Sequence, residues 1–274
     1  MKKVLFLFIV FIIPTGTVYG MSDHHSNSIT NKDIAGSICL YKENYIQYAK
    51  PMDDKTEQGY TQAQLSLQYQ PFYRKQKSLY IGYTTVFWWM TNEISSEITE
   101  TNYNIEGFYR RQKVVNVSDH LKINRIQFGI DHTSNGKRGP ESRGINLLYT
   151  TIGAYTGDRL RLGGEIKAFA YFDNSIKNED IQNFTGNFTY NAYLSWNSHT
   201  YSEIAKLNYK VQLGGNSSLS NGRQELTLRL APIPKYFTPF IFVRYEVGFG
   251  TQGLVNYNEK HEAVTFGLSI DCLP

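Results

Sequence analysis

The stretch Gln62–Gln70, Gln-Ala-Gln-Leu-Ser-Leu-Gln-Tyr-Gln, decides the fold. Ala63, Leu65, Leu67 and Tyr69 alternate without a break with Gln62, Gln64, Ser66, Gln68 and Gln70. Successive side chains of an extended strand point to opposite faces, so this segment is a strand with one apolar and one amide-rich face. The same dyad recurs in Ala205–Leu213, where Ala205, Leu207, Tyr209, Val211 and Leu213 alternate with Lys206, Asn208, Lys210 and Gln212. It returns in 159–172, 241–249 and 264–270. A soluble sandwich alternates too, but it turns its apolar face inward onto a second sheet. Here the polar face carries long charged and amide side chains on strand after strand, which suits a narrow polar lumen, while the apolar face suits lipid. About twelve such segments of ~9–14 residues, divided by turns such as Ser220-Asn221-Gly222, have the size of membrane-spanning strands. The expected fold is all-β: a single transmembrane antiparallel β-barrel of about twelve strands.

Composition agrees. Mean hydropathy is only −0.40, yet 21 Tyr and 16 Phe raise the aromatic fraction to 15%. Aromatic excess with weak average hydropathy fits a barrel in which alternate residues meet lipid. Lys2 and Lys3, the apolar run 4–13, Pro14 and a small-residue stretch ending at Gly20 read as a signal peptide over 1–20. Its apolar run falls short of the ~20 residues of a membrane helix. Residues 21–32 lack periodicity and read as a flexible leader, which leaves 33–274 as one barrel domain. The net charge of +4 is interleaved with Asp and Glu, so no nucleic-acid partner is expected. Cys39 and Cys272 are too sparse for a disulfide-built scaffold, and whether they pair stays open.

One segment breaks the rule of apolar-to-lipid. In 126–136, Ile-Gln-Phe-Gly-Ile-Asp-His-Thr-Ser-Asn-Gly, the lipid-facing residues are Ile126, Phe128, Ile130, His132 and Ser134. A polar pair in hydrocarbon costs free energy, which makes sense if the substrate is itself a lipid. His132 and Ser134 sit side by side, so the imidazole can take the hydroxyl proton. A hairpin through 135–144 would bring Asn146 beside His132 to fix its tautomer, completing a Ser-His-Asn triad. The rival reading is a chance His-x-Ser before a good Ser-Asn-Gly turn. His24-His25-Ser26-Asn27 repeats the pattern with no alternating strand behind it. His120, His199 and His261 lack partners at ligand spacing and read as solvated, and Trp88 and Trp89 as interfacial anchors.

The run from His132 to Gly136, with Pro140, Ser142-Arg143, Asn146 and Leu148-Tyr149-Thr150, resembles the active-site segment of the outer membrane phospholipase A family. Trp88-Trp89, Asn92, Ser95-Ser96 and Glu100-Thr101-Asn102-Tyr103 resemble the strand and loop that precede it, and weaker likeness covers nearly all of the mature chain. The resemblance implies an enzyme of the bacterial outer membrane with its site toward the cell exterior. It would hydrolyse phospholipids at both acyl positions, and lysophospholipids, with His132 as base, Ser134 as nucleophile and Asn146 as orienter. Backbone amides of Ser134 and Gly136 would form the oxyanion hole. It further implies Ca2+ held by Ser95, Ser142 and the Lys137 carbonyl, with a homodimer as the active form. Departures are Gly139 and the neighbourhood of Ile176, where the family carries acids, Thr85 in place of an interface glutamine, and the ending Cys272-Leu273-Pro274 in place of a terminal aromatic. Weaker calcium binding or a weaker dimer is therefore expected. The alternative is a non-catalytic outer-membrane barrel, a channel or a structural protein.

Overall fold

Among the described residues, alternation carries through fourteen strands. These are β1 (Ile38–Leu40), β2 (Asn44–Pro51), β3 (Tyr60–Arg74), β4 (Lys77–Trp89), β5 (Ile98–Arg111), β6 (Val115–Asn116) and β7 (Lys122–Ser134). Then follow β8 (Gly144–Thr156), β9 (Leu160–Asp173), β10 (Phe188–Asn197), β11 (Glu203–Gln212), β12 (Arg223–Leu230), β13 (Phe240–Phe249) and β14 (Lys260–Ile270), with the short helix α1 (Ile181–Thr185) between β9 and β10. The computed structural model describes residues 38–52, 59–74, 77–91, 96–111, 114–173, 180–198, 203–232 and 239–271. The expected signal peptide, the expected leader with its His24–Asn27 pattern, Ser95, Ile176, His199 and Cys272 lie outside the described residues.

Twelve of the strands close into a ring. Each pairs antiparallel with its neighbour, from β2 through β3, β4, β5 and β7 to β14, and β14 returns to β2 with Ile270 opposite Asn44. Closure leaves the ring no free edge, the condition for crossing a bilayer with strands. β1 prolongs the line of β2 along β3, and β6 is a two-residue pairing on β7. The expected twelve-stranded barrel is the fold that forms. In β7 the inner residues Gln127, Gly129 and Asp131 are buried while Phe128, Ile130 and His132 are exposed. An apolar belt of this kind, continued by Ile105, Leu148, Ile152, Val243 and Phe266, would be untenable in water and is at home in lipid.

The lumen is packed with paired charges, because a buried ion needs a partner. Between β1 and β2 the chain dips inward. Lys42 there pairs with Glu106, whose carboxylate also accepts the Tyr149 hydroxyl at 2.8 Å and the Tyr41 hydroxyl at 3.1 Å. Gly82 makes room for this dip, since a Cβ there would lie 2.9 Å from the Tyr41 ring. Farther round, Arg244 bonds Glu43 at 3.0 Å, Thr227 at 3.1 Å and Gln47 at 3.2 Å. At the end of the barrel that holds the 135–143 loop, Ile145, Ile181, Leu254 and Tyr257 form an apolar cap, flanked by Leu147, Tyr171 and Phe184.

Two residues depart from expectation. Trp88 is no interfacial anchor: it falls on the inner face, packs with Ala49 and Tyr60, and donates its indole N–H to the Thr251 carbonyl at 3.2 Å. Its neighbour Trp89 is the half-exposed one. His261 is buried on β14 with Glu259 3.3 Å from its Nε2, not solvated.

Candidate active site

The register of three strands builds the site. β7 pairs with β8 so that His132 lies opposite Asn146 and Ser134 opposite Gly144. On its other side β7 pairs with β5, setting Ile105 beside His132 and Tyr103 beside Ser134. All these side chains share the outer face. His132 Nδ1 is 2.7 Å from Asn146 Oδ1. A carbonyl oxygen only accepts, so this contact places the hydrogen on Nδ1 and leaves the lone pair on Nε2.

Ser134 ends β7, and the chain then turns through Gly136, whose φ of 67° suits glycine. A Cβ at Gly136 would also stand 3.1 Å from the Tyr103 ring. The Gly136 N–H lies outside the strand and donates to Ser134 Oγ at 3.2 Å. Among the described residues no hydrogen bond joins Ser134 to His132, although both stand two apart on one face. Such bonds are commonly loose before substrate tightens them.

Asn135, which the sequence reading passed over as a turn residue, holds the loop beyond. It is 4% exposed, its Oδ1 accepts the amides of Arg143 at 3.0 Å and Lys137 at 3.3 Å, and its Nδ2 donates to the Glu141 carbonyl at 2.8 Å. Arg143 donates to the carbonyls of Pro140 and Ser142 and stacks over Tyr257. Lys137 sits between Glu141 at 3.1 Å and Glu100 at 3.3 Å. Partial burial works to lower the Lys137 pKa, but the bonds to these two carboxylates prevail and raise it. Glu100 in turn accepts the Val255 amide at 3.3 Å, tying the loop to the cap. Behind the strand, Asn104 donates to Thr133 Oγ1 at 2.7 Å and accepts from Lys42 at 3.0 Å, while Lys167 stands 3.5 Å from Asp131. None of these supports was legible in local spacing.

The metal donors suggested by the resemblance are brought together in part. Lys137 and Ser142 belong to the one loop closed by Asn135, and the Ser142 hydroxyl makes no hydrogen bond among the described residues. Hydroxyl and carbonyl oxygens are hard donors that suit calcium. Among the described residues no group of three His, Cys, Asp or Glu could form a carboxylate or imidazole cage. The donors fit a sparse, hydrated calcium site and not a zinc site. Thr85 lies on the outer face in one row with Leu65, Tyr103 and Ser134; it is 4% exposed, and among the described residues its hydroxyl has no hydrogen-bond partner.

A family model described as Phospholipase A1 matches residues 18–270. Phospholipase A1 of Escherichia coli K12 is 25% identical over 269 residues, covering 90% of this chain and 86% of that protein. Phospholipase A1 of Proteus vulgaris is 24% identical over 266 residues, with the same coverage. Among solved structures, outer membrane phospholipase A from Escherichia coli superposes with a TM-score of 0.74 at 24% identity, covering 93% of this chain and 97% of that one. The Salmonella typhi outer membrane phospholipase, a dimer with bound calcium, gives 0.73 at 23% identity and covers 87% and 94%.

Proposed function

This chain belongs to the phospholipase A1 family, and on that premise we propose that it is an outer-membrane phospholipase whose Ser134, His132 and Asn146 cleave the acyl esters of phospholipids and lysophospholipids. The observation that carries the reading is the 2.7 Å contact between His132 and Asn146, which sets an imidazole in one tautomer on the outer face beside Ser134. Ser134 Oγ attacks the ester carbonyl carbon and passes its proton to His132 Nε2. The oxyanion that forms is met by the Gly136 N–H, now aimed at Ser134 Oγ. Collapse breaks the ester bond, and the imidazolium returns the proton to the departing alcohol. A water molecule, deprotonated by His132 in turn, then frees the fatty acid from Ser134. Throughout, the Asn146 carbonyl holds the imidazole in the tautomer that can accept.

Ca2+ would be held by the Lys137 carbonyl, Ser142 and Ser95, and when bound it would supply positive charge that stabilises a developing oxyanion. The Salmonella typhi relative, a dimer with bound calcium, supports this assignment, as does the uncommitted Ser142 hydroxyl. A homodimer as the active form is supported by that same relative, a dimer with bound calcium. The outer membrane is the compartment that fits the signal sequence and the apolar belt, and the family resemblance implies a site toward the cell exterior.

A fluorophosphonate acyl trap tests the nucleophile. Mass mapping of the adduct should find Ser134 and not Ser26, and labelling elsewhere while lipid is still being cleaved removes the acyl-enzyme route.

A further inference from the structure

We propose that Arg138 binds the phosphate of the lipid being cleaved and so makes the site prefer phospholipids to neutral acylglycerols; this rests on the esterase reading of Ser134. The argument starts from direction. Below Ser134 on the outer face of β7 lie Ile130 and Phe128, which meet acyl chains, so a lipid whose ester sits at Ser134 must carry its polar end the other way. That way lies the 135–143 loop.

The loop holds four charged side chains within 137–141 and 143, and the structure has committed three of them. Lys137 and Glu141 pair with each other, Lys137 also pairs with Glu100, and Arg143 is taken up by two backbone carbonyls and the Tyr257 ring. Arg138 is exposed, and among the described residues it has no hydrogen bond, ion pair or ring contact. Its backbone is nonetheless anchored. The preceding amide, that of Lys137, is bonded to Asn135, and the turn that follows is closed by Ser142 N–H on the Gly139 carbonyl at 3.3 Å. With its base fixed, Arg138 can reach a ligand by ordering its side chain alone, with no backbone to rearrange.

Reach agrees as well. Arg138 follows Gly136 by two residues, whose Cα atoms can be no more than about 7 Å apart, and the Gly136 N–H touches Ser134 Oγ. Only a few bonds separate the ester carbonyl of a glycerophospholipid from its phosphate. A guanidinium presents a planar fork that matches a phosphate's oxygens in pairs, so arginine gives both charge and orientation there.

The test compares two substrates with the same acyl chains, a phosphatidylglycerol and the corresponding diacylglycerol, in one detergent with calcium present. In Arg138→Gln the ratio of their kcat/KM values should fall about tenfold, the size of one charge-assisted hydrogen bond. Most of the change should lie in KM, and Arg138→Lys should recover part of it. An unchanged ratio, with the wild type active, overturns the role of Arg138 and leaves the esterase reading standing. A parallel loss on both substrates also overturns it, because the residue would then act on the loop and not on the phosphate. No hydrolysis of either lipid by the wild type sinks the esterase reading and this inference together.

Discussion

Asn135 accepts the backbone amide of Arg143 at 3.0 Å, while Asn135 N–H bonds the Arg143 carbonyl at 3.2 Å, so the two residues close the loop between β7 and β8 like a clasp. This makes Asn135 a positioning residue for the Gly136 amide and the Lys137 carbonyl that follow it. Asn135→Ala should lower kcat about ten- to a hundredfold, the usual penalty for a misplaced donor, with a smaller change in KM. Asn135→Asp keeps the acceptor for both amides and should recover part of the loss. Equal activity of Asn135→Ala and the wild type would show that the clasp does not serve the chemistry.

Ser134→Ala and His132→Ala should each remove several orders of magnitude of phospholipase activity, since a triad acts as a unit. Both side chains lie on the outer face and support no core packing, so the purified variants should keep the wild-type unfolding midpoint. Asn146→Ala should cost less, because Asn146 orients the base without taking the proton. Near wild-type turnover in Ser134→Ala would mean a different nucleophile.

Activity should need calcium and rise with dimerisation. The donors within one loop are few and neutral, and Gly139 contributes no carboxylate, so binding should be weak and reversed readily by a chelator. Cross-linking in detergent across a calcium titration, with fatty-acid release read in parallel, measures both. Thr85→Gln offers a longer side chain with more hydrogen-bonding atoms at the row of Tyr103 and Ser134, and should raise the dimer fraction at a given calcium concentration. A monomer fully active in excess chelator would rule the scheme out.

Glu106→Ala should destabilise the barrel by about 1–3 kcal/mol, because it removes the shared acceptor of the Tyr41 and Tyr149 hydroxyls and the partner of Lys42, whose ammonium keeps Asn104 and some contact with water. Glu106 is 1% exposed and answers Lys42, Tyr41 and Tyr149 together. Urea unfolding in lipid vesicles reads this loss directly. A change of less than about 1 kcal/mol would mean that water replaces the carboxylate in the lumen.

What the chain determines by itself is whatever follows from period two. Alternation in 62–70 and 205–213 assigned each residue to lipid or lumen, and the same count put His132 and Ser134 on the lipid face, fourteen and twelve residues before Asn146. A hairpin preserves such local relations, which is why the pairing of His132 with Asn146 is legible in the sequence. Ring closure decided the rest. Alternation alone left Trp88 open to an anchoring role, and only the barrel showed it against Ala49 and Tyr60, beneath the carbonyl of Thr251. Neither could spacing connect Lys137 to Glu100, Glu100 to Val255, or Lys42 to Glu106, since each pair comes from strands or loops distant along the chain. Contacts across a lumen depend on the register of every strand between them. The period of one strand says which way a side chain points, and only the closed ring says what it meets there.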